Sequence, residues 1–117
     1  MLRVADTLLR TAFAAGFLTT VSFSAAPADA DCFEVIGCTD SDWFDGDDLE
    51  QLSCENLWHI RNRIYDENGY CFATDRGRQA FDNSDCWVED QAAVELSEIE
   101  THNVDEIVEA EEENGCN

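Results

Sequence analysis

Three stretches of this chain carry a hydrophobic pattern strong enough to predict an element. The first is a nearly continuous apolar run from Thr11 to about Ala25, preceded by Arg3 and Arg10 and followed by Ala28-Asp29-Ala30. A basic start, a short apolar middle and a small-x-small end are the layout of a secretory signal peptide, with cleavage predicted before Asp31. The run falls short of the roughly 20 apolar residues that a membrane-spanning helix needs. The second stretch places Leu57, Ile60 and Ile64 at helical spacing, with Trp58 and Tyr65 widening the stripe, and predicts a helix over Glu55–Asn68. Asn68-Gly69 is a stop signal, because glycine enters the left-handed conformation without strain. The third opens with a capping box, Ser97-x-x-Glu100, and predicts a helix with Ile99, Val104, Ile107, Val108 and Ala110 along one side and Asn103 among them.

Between these stretches the pattern is polar. Asp40–Glu50 reads as an acidic loop, Gly69–Phe72 as a short extended exit, and Thr74 as the cap of a short helix over Asp75–Phe81. Asp82-Asn83-Ser84-Asp85 is a turn cluster, and Val88–Glu95 reads as irregular. The predicted fold class is mostly α: a small disulfide-stabilised single domain of about three short helices with irregular connections. Its parts are the signal peptide 1–30, an acidic Cys-containing segment 31–51, a helical domain 52–113, and a tail 114–117 holding Cys116.

Helical phase singles out one residue. At about 100° per residue, Arg61 falls in the middle of the apolar stripe, between Leu57 and Tyr65, while His59, Arg63 and Asp66 fall on the opposite, solvent-facing side. A charge at the centre of a packing face needs a carboxylate or carbonyl partner, or must reach past its neighbours to water. Arg61 is therefore expected in a buried ion pair, with a ligand-binding role as the alternative.

Charge and cysteine count then set the compartment. The net charge is −21, lysine is absent, and the segment 1–30 holds two Arg and two Asp, so the whole acidic excess lies in residues 31–117. Such a field repels nucleic acid and anionic lipid. It suits a soluble exported protein that is not membrane-anchored. All six cysteines lie beyond the signal segment, an even number in an oxidising compartment, so three disulfides are expected. Cys71 and Cys86 bracket the short helix and are expected to pair; Cys32, Cys38, Cys54 and Cys116 share two further bonds, whose pairing spacing alone leaves open. No Cys-x-x-Cys pair and no His at ligand spacing supports zinc. The acidic loop breaks the EF-hand pattern, because Phe44 and Asp45 occupy positions 5 and 6 counted from Asp40, which leaves weak divalent-cation binding at most.

At Leu57-Trp58-x-x-Arg61-Asn62 and Tyr65-Asp66-Glu67-Asn68-Gly69-Tyr70-Cys71-Phe72 the chain resembles the YARHG domain, a small extracytoplasmic module of bacterial proteins. Of the signature pentapeptide the Tyr and Gly match, as Tyr65 and Gly69, and the three central residues differ. Phe81–Cys86 and Ser97-x-x-Glu100-x-x-Asn103 extend the resemblance over about Leu52–Glu111. The resemblance implies an exported protein with a small, mostly helical fold, and it implies no reaction and no cofactor.

No catalytic motif accompanies it. Gly-x-Ser-x-Gly, a phosphate loop and His-Glu-x-x-His are absent, and His59 and His102 are the only histidines. The expected function is therefore non-enzymatic: a binding or interaction module at the cell envelope, with a cell-wall glycan or an envelope protein as partner. The alternatives are a charge-bearing periplasmic protein without a specific ligand, and a cell-envelope hydrolase. Trp43, Trp58, Tyr65, Tyr70 and Trp87 are the candidate aromatic surface.

Overall fold

The computed structural model describes residues 32–117; the signal peptide and its cleavage site lie outside them. Each helix starts where a short polar side chain can satisfy a free backbone amide. Asp45 caps α1 (Gly46–Leu49) by accepting from the Asp47 amide, and Ser53 caps α2 (Cys54–Glu67) by accepting from Asn56. Thr74 caps α3 (Asp75–Ala80) through Gly77. Ser97 and Glu100 form the reciprocal capping box of α4 (Glu98–Glu113). The protein is thus mostly helical, with three disulfides and one small sheet, a two-residue antiparallel hairpin of β1 (Cys32–Phe33) and β2 (Gly37–Cys38).

Two connections differ from expectation. The acidic loop Asp40–Glu50 contains α1, because Asp45 supplies a cap and Leu49 a fully buried anchor. The stretch Val88–Glu95 holds a 3₁₀ turn, Gln91–Ala93, capped by Asp90.

The core lies where α2 and α1 pack against α4. Leu49, Leu57, Ile64 and Ile107 are fully buried there, joined by Ile36, Phe44, Ile60, Val104 and Ala110. Each of these side chains except Ala110 stabilises the fold by about 1.5–3 kcal/mol. Val108, placed by periodicity on the core side of the last helix, sits at its edge and is 38% exposed. Ile36, Phe44 and Leu49 come from the N-terminal acidic segment, so that segment is part of the core.

What joins it to α4 is a polar group. Asn103 is completely buried, accepts from the Phe44 amide at 2.8 Å, and donates to the carbonyls of Thr39 (2.9 Å) and Asp42 (2.8 Å). Its amide group satisfies three backbone groups of a loop that has no ladder of its own.

The disulfides close the ends. Cys32–Cys38 staples the hairpin, Cys54–Cys116 ties the start of α2 to the chain end, and Cys71–Cys86 closes the segment that carries α3. By loop-closure entropy the 62-residue link of Cys54–Cys116 contributes about 4 kcal/mol, more than the other two.

That last segment folds over the back of α2. Phe72 and Phe81 stack at 4.9 Å between ring centres, His59 stacks on Phe81 at 5.0 Å, and Trp58 lies at 6.1 Å. Asn83 holds the layer in place by bonding both the amide and the carbonyl of Phe72. The face of α2 carrying His59 and Arg63 is consequently half-buried, a correction to the solvent-facing side expected from helical phase. Periodicity within one helix reports its strongest apolar face, and a second element can cover another.

Candidate functional site

The segment Tyr65–Gly69 is the last turn of α2 and its exit. Asn68 donates to the Ile64 carbonyl (2.7 Å) and to Glu100 Oε2 (3.1 Å), while Glu100 Oε1 accepts from the Ser97 amide (2.9 Å). The end of α2 is thereby wired to the capped start of α4. Gly69 follows with φ +90°, a left-handed conformation that favours glycine. Its carbonyl accepts from both Trp87 and Val88 at 2.9 Å, and Tyr70 and Val88 form a parallel bridge.

A second constraint acts on Gly69. The indole of Trp87 lies directly over it, so any Cβ at position 69 would overlap Cε2, Cζ2 and Cδ2 of that ring. Trp87 nevertheless is 71% exposed, the most exposed large apolar side chain among the described residues. One ring face is seated on backbone and the other faces water. Beside it opens a cleft of about 400 Å³ lined by Asn68, Trp87, Val88, Ala93 and Glu95. This shelf is the candidate site.

The other candidate aromatics do not join it as one surface. Trp43 is half-exposed and meets His102 edge-on at 5.0 Å. Trp58 is covered by the Arg76 guanidinium, 3.7 Å from its ring centre, while Arg76 also pairs with Glu55 at 2.7 Å. Tyr65 and Tyr70 are half-buried and pack edge-to-face at 6.1 Å. These rings are separated because Trp58 belongs to the layer behind α2, whereas Tyr65 and Tyr70 close the end of that helix.

Arg61 meets Glu111 of α4 through two parallel bonds, Nε–Oε1 at 2.8 Å and Nη2–Oε2 at 3.1 Å. The pair is partly buried, with side chains 24% and 13% exposed. A cleft of about 490 Å³ beside it includes Arg76, Val108 and the Cys54–Cys116 bridge. Both of its cations already face a carboxylate, so the cleft offers no unneutralised positive charge. Arg63 is exposed almost to the same extent as Arg61, meets Glu67 at 3.9 Å, lies 5.9 Å over the Phe81 ring, and has a buried Nε without a hydrogen-bond partner.

The titrating groups shifted by the fold cluster behind α2. Burial, then the Arg63 charge, pushes the His59 ring below its ordinary pKa, against the opposing pull of Glu55. Burial pushes Asp66 up; Arg63 opposes this, and Asp85 and Asp82 add to it. Hydrogen bonds from Ser84 hold Asp82 below the usual carboxylate range. His59 meets the Phe81 and Trp58 rings, and His102 lies 3.3 Å from the Phe44 carbonyl and edge-on to Trp43. Among the described residues no group of three or more His, Cys, Asp or Glu side chains converges to hold a metal ion.

Sequence reasoning overlooked the asparagines. Asn68, Asn83, Asn103 and Asn114 each bond backbone groups of a neighbouring segment or turn. Asn103 carried a visible signal, a polar amide inside an apolar stripe; the others lie in turn-like sequence and carried none.

A small helical domain stapled by three disulfides, with its signature turn seating an exposed indole, fits the class of extracytoplasmic modules. The profile of the YARHG domain matches residues 35–112, and the chain belongs to that family of extracytoplasmic modules. The matched span begins inside the acidic segment that was set apart by sequence, in keeping with the packing of Ile36, Phe44 and Leu49. Neither the curated proteins nor the solved structures include a match to this chain.

Proposed function

We propose that this protein is a non-enzymatic binding module of the bacterial cell envelope, released by signal-peptide cleavage before Asp31 and working in the periplasm or the medium. It is not membrane-anchored, takes no cofactor and avoids nucleic acid, whose phosphates its net charge of −21 repels. The observation that carries the proposal is Trp87: a large ring seated against Gly69 and yet 71% exposed. Exposed apolar surface of that kind contributes little to folding, and rigid, half-seated aromatics are what recognition surfaces use.

The test is co-sedimentation of the oxidised mature protein with purified cell-envelope fractions. Pelleting well above that of a disulfide-stapled acidic control of equal charge is expected. A protein that stays in the supernatant with every fraction is instead a charge-bearing periplasmic protein without a specific ligand. Turnover of a cell-wall substrate by the purified protein would overturn the non-enzymatic assignment.

A further inference from the structure

We infer that the Trp87 cleft is a sugar subsite, in which the outer face of the indole stacks on the C–H face of an uncharged pyranose while Glu95 accepts hydrogen bonds from its hydroxyl or acetamido groups. This deepens the binding role proposed above and rests on it.

Four observations converge on that ligand class. The first is the ring's presentation: Gly69 backs one face and the side chain is 71% exposed among the described residues, so a flat surface stands presented before binding. Preorganisation of this kind spares the ordering cost that a mobile side chain would add. The second is the cleft itself, whose volume of about 400 Å³ falls within the ~300–1,000 Å³ of small-molecule sites.

The third is polarity. Only Val88 and Ala93 add apolar surface beside Trp87, whereas Glu95 and Asn68 bring hydrogen-bonding groups. A protein hot spot surrounds its aromatic anchor with further apolar contacts that exclude water. A sugar needs one apolar platform and polar groups at its rim, and this cleft has that balance. Asn68 spends both amide hydrogens on Ile64 and Glu100, which fixes the floor of the cleft to α4. Glu95 has no hydrogen bond or ion pair among the described residues, and neither does the Trp87 Nε1–H, leaving an acceptor and a donor for the ligand.

The fourth is charge. Glu95 sits at the cleft and the chain carries −21 overall, so a uronic or phosphorylated sugar is repelled and an uncharged one is not.

The inference is tested on the oxidised mature protein with an N-acetylglucosamine tetramer and, as the anionic counterpart, a galacturonic acid tetramer. The three indole Nε1–H resonances are followed by NMR. The neutral tetramer should shift the Trp87 signal with a Kd at or below about 1 mM and leave Trp43 and Trp58 in place, while the acidic tetramer shifts none. Trp87→Ala should weaken binding by roughly tenfold or more, and Trp87→Phe, which keeps a ring on Gly69, by less. Glu95→Gln, an exposed change that leaves the packing intact, should weaken it about threefold or more.

No shift of Trp87 up to about 10 mM of the neutral tetramer, or unchanged binding by both Trp87→Phe and Glu95→Gln, overturns the inference. The two levels separate in the sedimentation assay. If Trp87→Phe and Glu95→Gln pellet with envelope as strongly as the parent protein, the binding role stands and the sugar subsite falls. If the parent protein does not pellet, the binding role itself fails.

Discussion

The two faces of α2 are buried by different chemistry. Toward α4 the helix presents Leu57, Ile60 and Ile64 to other aliphatic side chains, and its one charge, Arg61, meets Glu111 in a two-bond pair. Away from α4 it presents Trp58, His59 and Arg63 to Phe81, on which Phe72 stacks, and Arg63 meets Glu67 only at 3.9 Å and keeps a buried Nε without a hydrogen-bond partner. Arg61 and Arg63 are almost equally exposed, at 24% and 26% of the side chain. Exposure therefore does not separate them; partner geometry does. A partly buried guanidinium with a bidentate carboxylate is compensated, whereas one that has an aromatic ring and a single carboxylate oxygen at 3.9 Å is compensated only in part.

The sharpest way to break the contrast is to unstaple each face in turn. Replacing Cys54 and Cys116 by Ala should cost about 4 kcal/mol and loosen the α2–α4 core as a whole. Replacing Cys71 and Cys86 should cost about 3 kcal/mol. In hydrogen exchange the second variant should release amides of 70–88 while the amides of α2 stay protected. Equal loss of protection on both sides of α2 would show that the two faces form one cooperative unit.

Asn103 tests the core face next. Asn103→Leu leaves the Phe44 amide and the carbonyls of Thr39 and Asp42 unpaired and should cost about 3 kcal/mol. The loss should appear as a lower Tm with exchange concentrated in residues 39–49. A Tm within a degree or two of the parent would mean that the loop is held by Phe44 and Leu49 alone.

The arginines give the direct comparison. Arg61→Ala strands Glu111, and because both partners are partly solvated we expect about 2 kcal/mol, below the cost of breaking a fully buried pair. Arg63→Met keeps the apolar stem on Phe81 and removes the unpaired N–H, so its stability should match the parent within about 0.5 kcal/mol or exceed it. Urea melts of the two variants decide; a larger loss for Arg63→Met would assign the structural charge to the aromatic face.

The smallest expected effect is a titration. His59 has a folded pKa below its ordinary 6.5, so the unfolded chain takes up its proton first as pH falls. Its contribution is complete above 6.5 and is lost as pH drops through the folded value. Asp66, with a raised folded pKa, has the opposite sign: its contribution is complete below the ordinary carboxylate pKa and is lost as pH rises through the folded value. NMR of the His59 ring protons should give a midpoint below 6.5, and Arg63→Met should move it upward by removing one of its causes. A His59 midpoint at or above 6.5 in the parent protein would show that the layer does not bury the ring.

Much of the fold was legible because its signals are local. Thr74 and Ser97 stand one residue before helices that begin where their hydroxyls can reach an amide, and Gly69 marks the exit of α2; the Ser53 cap was not read from the sequence. α1 escaped notice because it has only four residues, two of them acidic, and Leu49 is its one large apolar side chain, too few for a period to show. The Trp87 shelf was half-legible: Trp87 was singled out as an aromatic, but nothing in the spacing of Gly69 and Trp87 told that one would seat the other.

The chain by itself determined that this is a small, disulfide-stapled, mostly helical module, since capping, apolar period and cysteine count act within a few residues or through bulk composition. Only the tertiary structure decided that Glu111 takes Arg61, that Asn103 binds the acidic segment into the core, that Phe81 covers His59 and Arg63, and that Trp87 is left on the surface. The physical reason is range. A cap or an amphipathic stripe is a property of neighbouring residues, while a partner 50 residues away along the chain, as Glu111 is from Arg61, is chosen by how the faces close.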